Sequence, residues 1–251
     1  MASFNNSIMI ALFRKEISGF FSSLTGYIVI LVFLLVNSLF MWVFPGDLNI
    51  LDGGYANIDT LFVIAPWVFL FLIPAITMRM FADEKKSGTL ELLLTRPLSD
   101  FQIVFAKFLA GLTLVIFSLV PALIYFLSVY LLGSPVGDID TGATWGSFIG
   151  LFLLAAVYVS IGLFTSSITD NIIVSFILAA IISAFMYTGF ELLGNIAVFH
   201  SIASLLVGMG INEHYTSLSR GVIDSRDVIY YLAAVSIFLL ITKTVLNSRR
   251  W

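Results

Sequence analysis

The sequence predicts an all-α integral membrane protein, a single domain over residues 1–251. Six helices should span the membrane, with an amphipathic interfacial helix before the first and a short helix in the loop between the second and third. Three observations carry this. Of 251 residues, 60% are hydrophobic and only 11% charged, against about a quarter charged in an ordinary soluble domain. Six apolar segments approach the roughly 20 residues that a helix needs to cross a hydrocarbon core about 30 Å thick. Six crossings also sort the basic residues sharply onto one side.

The first element is the segment 7–24. Arg14, Lys15, Ser18 and Ser22 fall within one arc of roughly 100° on a helix, while Ile8, Met9, Leu12, Phe13, Ile17 and Phe20 lie off it. Such a helix lies in the membrane interface. Glu16 breaks the pattern, because it projects from the apolar side. It can reach the headgroups, pair with a nearby Arg or Lys, or form an ion pair with the loop at 79–107 and so tie the interfacial helix to that loop.

The spans are expected at 26–44, 61–78, 107–132, 145–168, 171–190 and 228–246. The uncharged stretch 17–46 far exceeds the roughly 7–15 residues of a signal-peptide core and has no A-x-A cleavage site, so it reads as the first span. Only the turn at Thr169, Asp170 and Asn171 separates the fourth and fifth spans, which makes them a tight hairpin. Lys243 near the end of the sixth can snorkel to the interface.

With both termini cytoplasmic, ten of the twelve Lys and Arg lie inside: Arg14, Lys15, Arg79, Lys85, Lys86, Arg96, Lys107, Lys243, Arg249 and Arg250. Only Arg220 and Arg226 lie outside. The opposite orientation inverts this and violates the positive-inside bias.

The loop 79–107 holds most of the cytoplasmic charge. Gly88 should end the extension of the second span, and 89–95 should form a short helix stopped by Pro97, which disfavours helix at Arg96. Ser99 followed by Gln102 is a capping box that starts a helix feeding the third span. Leu90, Leu92, Leu93 and Leu94 cannot all be buried on so short a helix. They need the membrane interface or a docked partner. Asp83, Glu84, Lys85 and Lys86 read as a solvated face.

Other chemistry has little support. There is no cysteine, hence no disulfide framework and no thiolate ligand or nucleophile. His200 and His214 lack the spacing of a zinc site. Asp170 and Glu191 sit at span boundaries rather than within them, so neither reads as a proton relay. No G-x-S-x-G elbow occurs, and no G-x-x-x-x-G-K-[ST] loop that could cradle ATP phosphates. Gly146 and Gly150 form a small-xxx-small pair that permits close helix approach, and Pro66, Pro74 and Pro121 permit kinks.

The string EKKSGTLELLLTRPLSDFQIVFAKF resembles the cytoplasmic loop of ABC-2 type transporter permeases, and the likeness extends over nearly the whole chain. The resemblance implies that the loop carries a coupling helix inserted into a cleft of a separate ATPase. Gly88, Thr89, Leu90, Glu91 and Leu92 match the motif, Leu93 continues it, and Arg96, Pro97, Ser99 and Lys107 flank it. The stretch 214–232 and the ending NSRRW are similar to gliding-motility-associated ABC permeases and to the related permeases of nitrous oxide reductase copper-site maturation, with the gliding-motility type favoured.

The function so implied is a non-catalytic, multi-pass permease subunit in the bacterial cytoplasmic (inner) membrane. It would need no cofactor of its own, because ATP and Mg²⁺ would be used by two copies of a cytosolic ATPase. A second permease, identical or homologous, would complete the complex, and in the gliding-motility type it carries an extracytoplasmic domain. The output would be export or conformational work. The alternative is a mechanical or scaffolding subunit that moves no substrate. In the wider family the outer loop, here 191–227, forms short re-entrant or interfacial helices.

Overall fold

The computed structural model describes residues 2–95, 98–196 and 201–248, with side chains described for all of these except 2–7 and 94. It is all helix, with no strand among the described residues. Arg96, Pro97, His200, Arg249 and Arg250 lie outside them. Besides a single helical turn at Ile50–Gly53, the helices in chain order are α1 (Ala2–Phe21), α2 (Leu24–Val43), α3 (Asp59–Lys86), α4 (Thr89–Leu94), α5 (Asp100–Leu132), α6 (Thr141–Ile168), α7 (Ile172–Gly194), α8 (Ala203–Val207), α9 (Ile211–Leu218) and α10 (Ser225–Asn247). Six of them, α2, α3, α5, α6, α7 and α10, are long and apolar enough to cross a membrane.

Short polar side chains mark where four of the six spans begin. Ser99 Oγ accepts from the Gln102 amide, and the Gln102 side chain accepts from the Ser99 amide, completing the expected capping box of α5. Asp140, Asn171 and Asp224 each accept from a backbone amide in the first turn of α6, α7 and α10. Each satisfies donors that a helix start leaves without intrahelical partners. α2 ends in a π-helical segment at Leu39–Val43, and α7 contains one at Phe185–Gly189 before α-helix resumes over Phe190–Gly194.

The core is organised around α6. Of its apolar window, 78% is buried, against 22–28% for α2, α7 and α10. Small residues let its neighbours approach closely. A Cβ on Gly162 would lie 1.9 Å from Thr77 Oγ1 of α3, and one on Gly150 would lie 2.6 Å from Leu218 Cβ of α9. Gly146 meets the backbone of Gly221, just past α9. The Gly146/Gly150 pair therefore seats the α9 segment of the same chain.

α3 contains Pro66 and Pro74 and is interrupted by a turn at Met78. The restart at Arg79 leaves amides without intrahelical acceptors. Ser166 of α6 fills the break: its hydroxyl accepts from the Phe81 and Ala82 amides at 2.9 and 3.0 Å and donates to the Met78 carbonyl at 3.0 Å.

The closeness of α3 and α6 yields a stability prediction. Gly162→Ala should cost about 1–3 kcal/mol, the usual penalty for overpacking a core, read as a lower melting temperature of the detergent-purified chain. Adding Thr77→Ala should restore part of the loss, because the nearest clashing atom goes while the Thr77 Cβ position stays 2.7 Å away.

Candidate functional site

The basic end of the bundle gathers the 79–107 segment around α1. Gly88 is the hinge between α3 and α4, with φ of +70°, a left-handed conformation that glycine adopts without a Cβ penalty. The chain reverses there and α4 begins at Thr89, whose hydroxyl lies 2.9 Å from that of Ser87. Leu90 turns inward and is only 6% exposed, whereas Leu92 is 67% exposed. Glu91 is also exposed, and Leu93 is half-buried against the core. The short helix thus spends one leucine on the bundle and offers another outward.

Behind α4 sits a cluster of four charges, three of them largely buried and the fourth, Lys15, reaching solvent. Lys107 of α5 has no exposed side-chain surface. Its ammonium donates to Glu16 Oε1 of α1 at 2.8 Å and to the Met80 carbonyl at 2.6 Å. It also lies 3.0 Å from Glu84 Oε2, an ion pair whose angle falls short of a hydrogen bond. Lys15 of α1 donates to Glu84 Oε1 at 2.8 Å and lies 3.6 Å from Glu16. The Phe81 ring, 5.0 Å from the Lys107 ammonium, adds a cation–π contact.

Two cations and two carboxylates sum to zero, which is the condition for holding such groups out of water. An unpaired buried charge is heavily penalised, while a paired and hydrogen-bonded one is tolerated. Burial by itself would lower the Lys15 pKa, but the hydrogen bond from Lys15 to Glu84 and the charges of Glu84 and Glu16 together outweigh it and hold Lys15 above the ordinary lysine value. A cavity of about 240 Å³, lined by Lys15, Glu16, Phe20, Arg79, Asp83 and Glu84, opens beside the cluster.

The expected site residues fall into two groups. Gly88, Thr89, Leu90, Glu91, Leu92 and Leu93 form the hinge and the short helix, while Glu16 belongs to the charge cluster behind it. Arg96 lies outside the described residues. Glu16 pairs both with its neighbour Lys15 and with Lys107, the last residue of the 79–107 segment.

The solvated-face reading of residues 83–86 needs correction. Asp83 and Lys86 are exposed, but Glu84 is 9% exposed and Lys85 donates to the Ser167 carbonyl. An eight-residue helix lying against α1, α5 and α6 necessarily buries one of its faces. Lys107 lies two turns inside α5, as expected for a helix that starts after Ser99 and feeds the third span, but its complete burial was not anticipated. The signal was present in the apolar surroundings IVFAKFLAG, because an ionisable residue inside a membrane helix calls for a partner.

Replacing Lys107 by Met leaves Glu16 and Glu84 facing each other without their shared cation. The loss should be about 3–5 kcal/mol, as for breaking a buried ion pair from one side, checked by thermal unfolding in detergent. Lys15→Met should cost less, because the Lys15 side chain is 63% exposed. Since the folded-state pKa of Lys15 is raised, its contribution is fully present below the ordinary value of 10.5 and disappears as pH rises through the folded value. The gap in melting temperature between the parent and Lys15→Met should therefore persist at neutral pH and close in strong alkali.

A bundle with six helices long and apolar enough to span a membrane agrees with the comparison by sequence. No curated protein matches the chain. The family described as ABC-2 family transporter protein matches over residues 8–246. That match takes in every span, the hinge and all four members of the charge cluster, and the chain belongs to this family of multi-pass transporter membrane proteins.

Proposed function

We propose that the chain is a permease subunit whose α4 docks a separate cytosolic ABC ATPase, so that ATP- and Mg²⁺-dependent closure of two ATPase copies drives export or conformational work across the bilayer. Gly88, Thr89, Glu91, Leu92, Leu93 and Arg96 form the contact; Leu90, expected among them, is buried and anchors the helix from behind, and Glu16 ties the contact to α1. The observation that carries this reading is the division of labour on α4: Leu90 is committed to the bundle while Leu92 and Glu91 remain on the surface. An exposed leucine beside a charged residue, on a helix anchored at its back, suits insertion into a protein cleft.

The basic end faces the cytoplasm in this reading, with both termini inside and the bundle in the bacterial cytoplasmic membrane. The positive-inside bias supports that orientation. The chain works with a second permease, identical or homologous. Within the family the stretch 214–232 favours the gliding-motility-associated type.

A second reading, in which no substrate crosses and the far end performs mechanical work, draws support from the rigidity of that end. His214 of α9 lies 2.7 Å from Asp227 of α10 through Nδ1 and 3.0 Å from the Gly208 carbonyl through Nε2, and its ring stacks on Tyr230 at 3.9 Å. Vectorial transport in reconstituted vesicles separates the two outputs.

Docking through α4 is tested by co-purification. Glu91→Arg should abolish recovery of the partner ATPase with the tagged permease, whereas Asp138→Arg at the far end should leave recovery unchanged. Full recovery with Glu91→Arg overturns the assignment.

A further inference from the structure

At the end of the bundle away from the charge cluster lies a polar cavity of about 480 Å³, bounded by the start of α3, the first turns of α6 and the end of α9. The distance from Asp59 to Glu84 along α3 is roughly 38 Å at the helical rise per residue. The two sites therefore sit at opposite membrane faces. Arg220, Asp59, Asp140, Asn57, Thr144 and Thr216 supply its polar lining. Its volume is that of an ordinary small-ligand pocket.

The walls are held before any ligand arrives. Gly221, with φ of +80°, sits so close to α6 that a Cβ on it would lie 2.2 Å from the Ala143 Cα. Ser147 donates to the Ser219 carbonyl at 2.9 Å, and Tyr215 donates to the Phe62 carbonyl at 2.8 Å. The first of these bonds fixes the Arg220 turn against α6, and the second fixes α9 against α3. Arg220, itself exposed, is therefore presented at the cavity by a turn bonded to α6.

The charges are arranged for a zwitterion. Arg220 is one of only two basic residues expected at this end, and among the described residues it forms no ion pair with Asp59 or Asp140. A guanidinium binds phosphate through parallel hydrogen bonds. The carboxylates beside it suit an ammonium. Depth points to the same class of ligand: Asp59 is the first residue of an apolar span, which places the cavity at the headgroup layer, and Val63 exposes an apolar lip beside it. A sugar would call for an aromatic face. The aromatic residue in the lining, Phe62, is 1% exposed and offers none.

We infer that this cavity binds an amine–phosphate headgroup of the phosphoethanolamine class, with Arg220 on the phosphate and Asp59 and Asp140 on the ammonium. The site is independent of ATPase docking, so either assignment can fail without the other.

The test uses the full chain reconstituted with equal phosphatidylethanolamine and phosphatidylglycerol, followed by native mass spectrometry of the lipids retained on release. The parent should retain phosphatidylethanolamine at least about tenfold over phosphatidylglycerol, the factor for one differential ion-pair hydrogen bond. Arg220→Ala should lose both lipids, while Arg220→Lys, which keeps the charge but not the parallel pair of hydrogen bonds, should retain them only in part. Asp59→Asn should reduce phosphatidylethanolamine retention toward that of phosphatidylglycerol. Equal retention of the two lipids by the parent, or unchanged retention in Arg220→Ala, overturns the site. Adding soluble glycerophosphoethanolamine identifies the source: displacement of the lipid means that the headgroup alone is recognised, and persistence means that a membrane-anchored headgroup is required.

Discussion

Lys107 is the residue around which the basic end is built. An ammonium with no exposed surface cannot be held in an apolar helix bundle without carboxylates, and the carboxylates must come from elsewhere in the chain. Glu16 brings α1 to it, and Glu84 brings the last turn of α3. Lys15 then neutralises the charge left over. An interfacial helix, the end of the second span and the beginning of the third are thereby fixed to one another by electrostatics, at a depth where the alternative is an unpaired buried charge. Apolar packing, which is non-directional, would allow these helices to slide. The charge cluster does not.

α4 inherits its position from this arrangement. It follows Glu84 by five residues, and the left-handed Gly88 turns the chain between them. Leu90 fastens the helix to the bundle, so the exposed edge formed by Glu91 and Leu92 is held at a defined height and angle. In the proposed mechanism an ATPase pushing on that edge loads α1, α3 and α5 together. A single flexible loop would dissipate the push.

The parts legible in the sequence are those governed by a fixed length or a local rule. Bilayer thickness dictates six apolar runs, and six spans are found. The Ser99–Gln102 box and the stop at Gly88 are local signals, and both elements form where expected. Pairing at a distance was legible only at Glu16, whose ion pair with the 79–107 loop is found on Lys107; the rest could not be read. Glu84 lies among four consecutive charges that look like a solvated face, and only the approach of α1 and α5 turns it inward. Ser166 reads as one serine among several in a span, yet it seals the break at Met78, 88 residues away. Gly146 finds its partner in Gly221, a backbone position with no side chain to betray it.

The seam between α3 and α6 decides where the molecule can give way. It is fastened near the basic end by Ser166 and by the contact of Lys85 with the Ser167 carbonyl, one turn further along by Thr77 against Gly162, and towards the opposite end through α9 by Tyr215 on Phe62. Bending α3 at Met78 would strip the Phe81 and Ala82 amides of their shared acceptor, and each buried donor left unpaired costs about 1–3 kcal/mol. The break at Met78 is therefore a stiffened joint. The thinly covered helices are α2, α7 and α10, and both α2 and α7 carry a π-helical turn. Movement driven from α4 should displace α3 and α6 as one body, and the compliance must lie where that body meets these three helices.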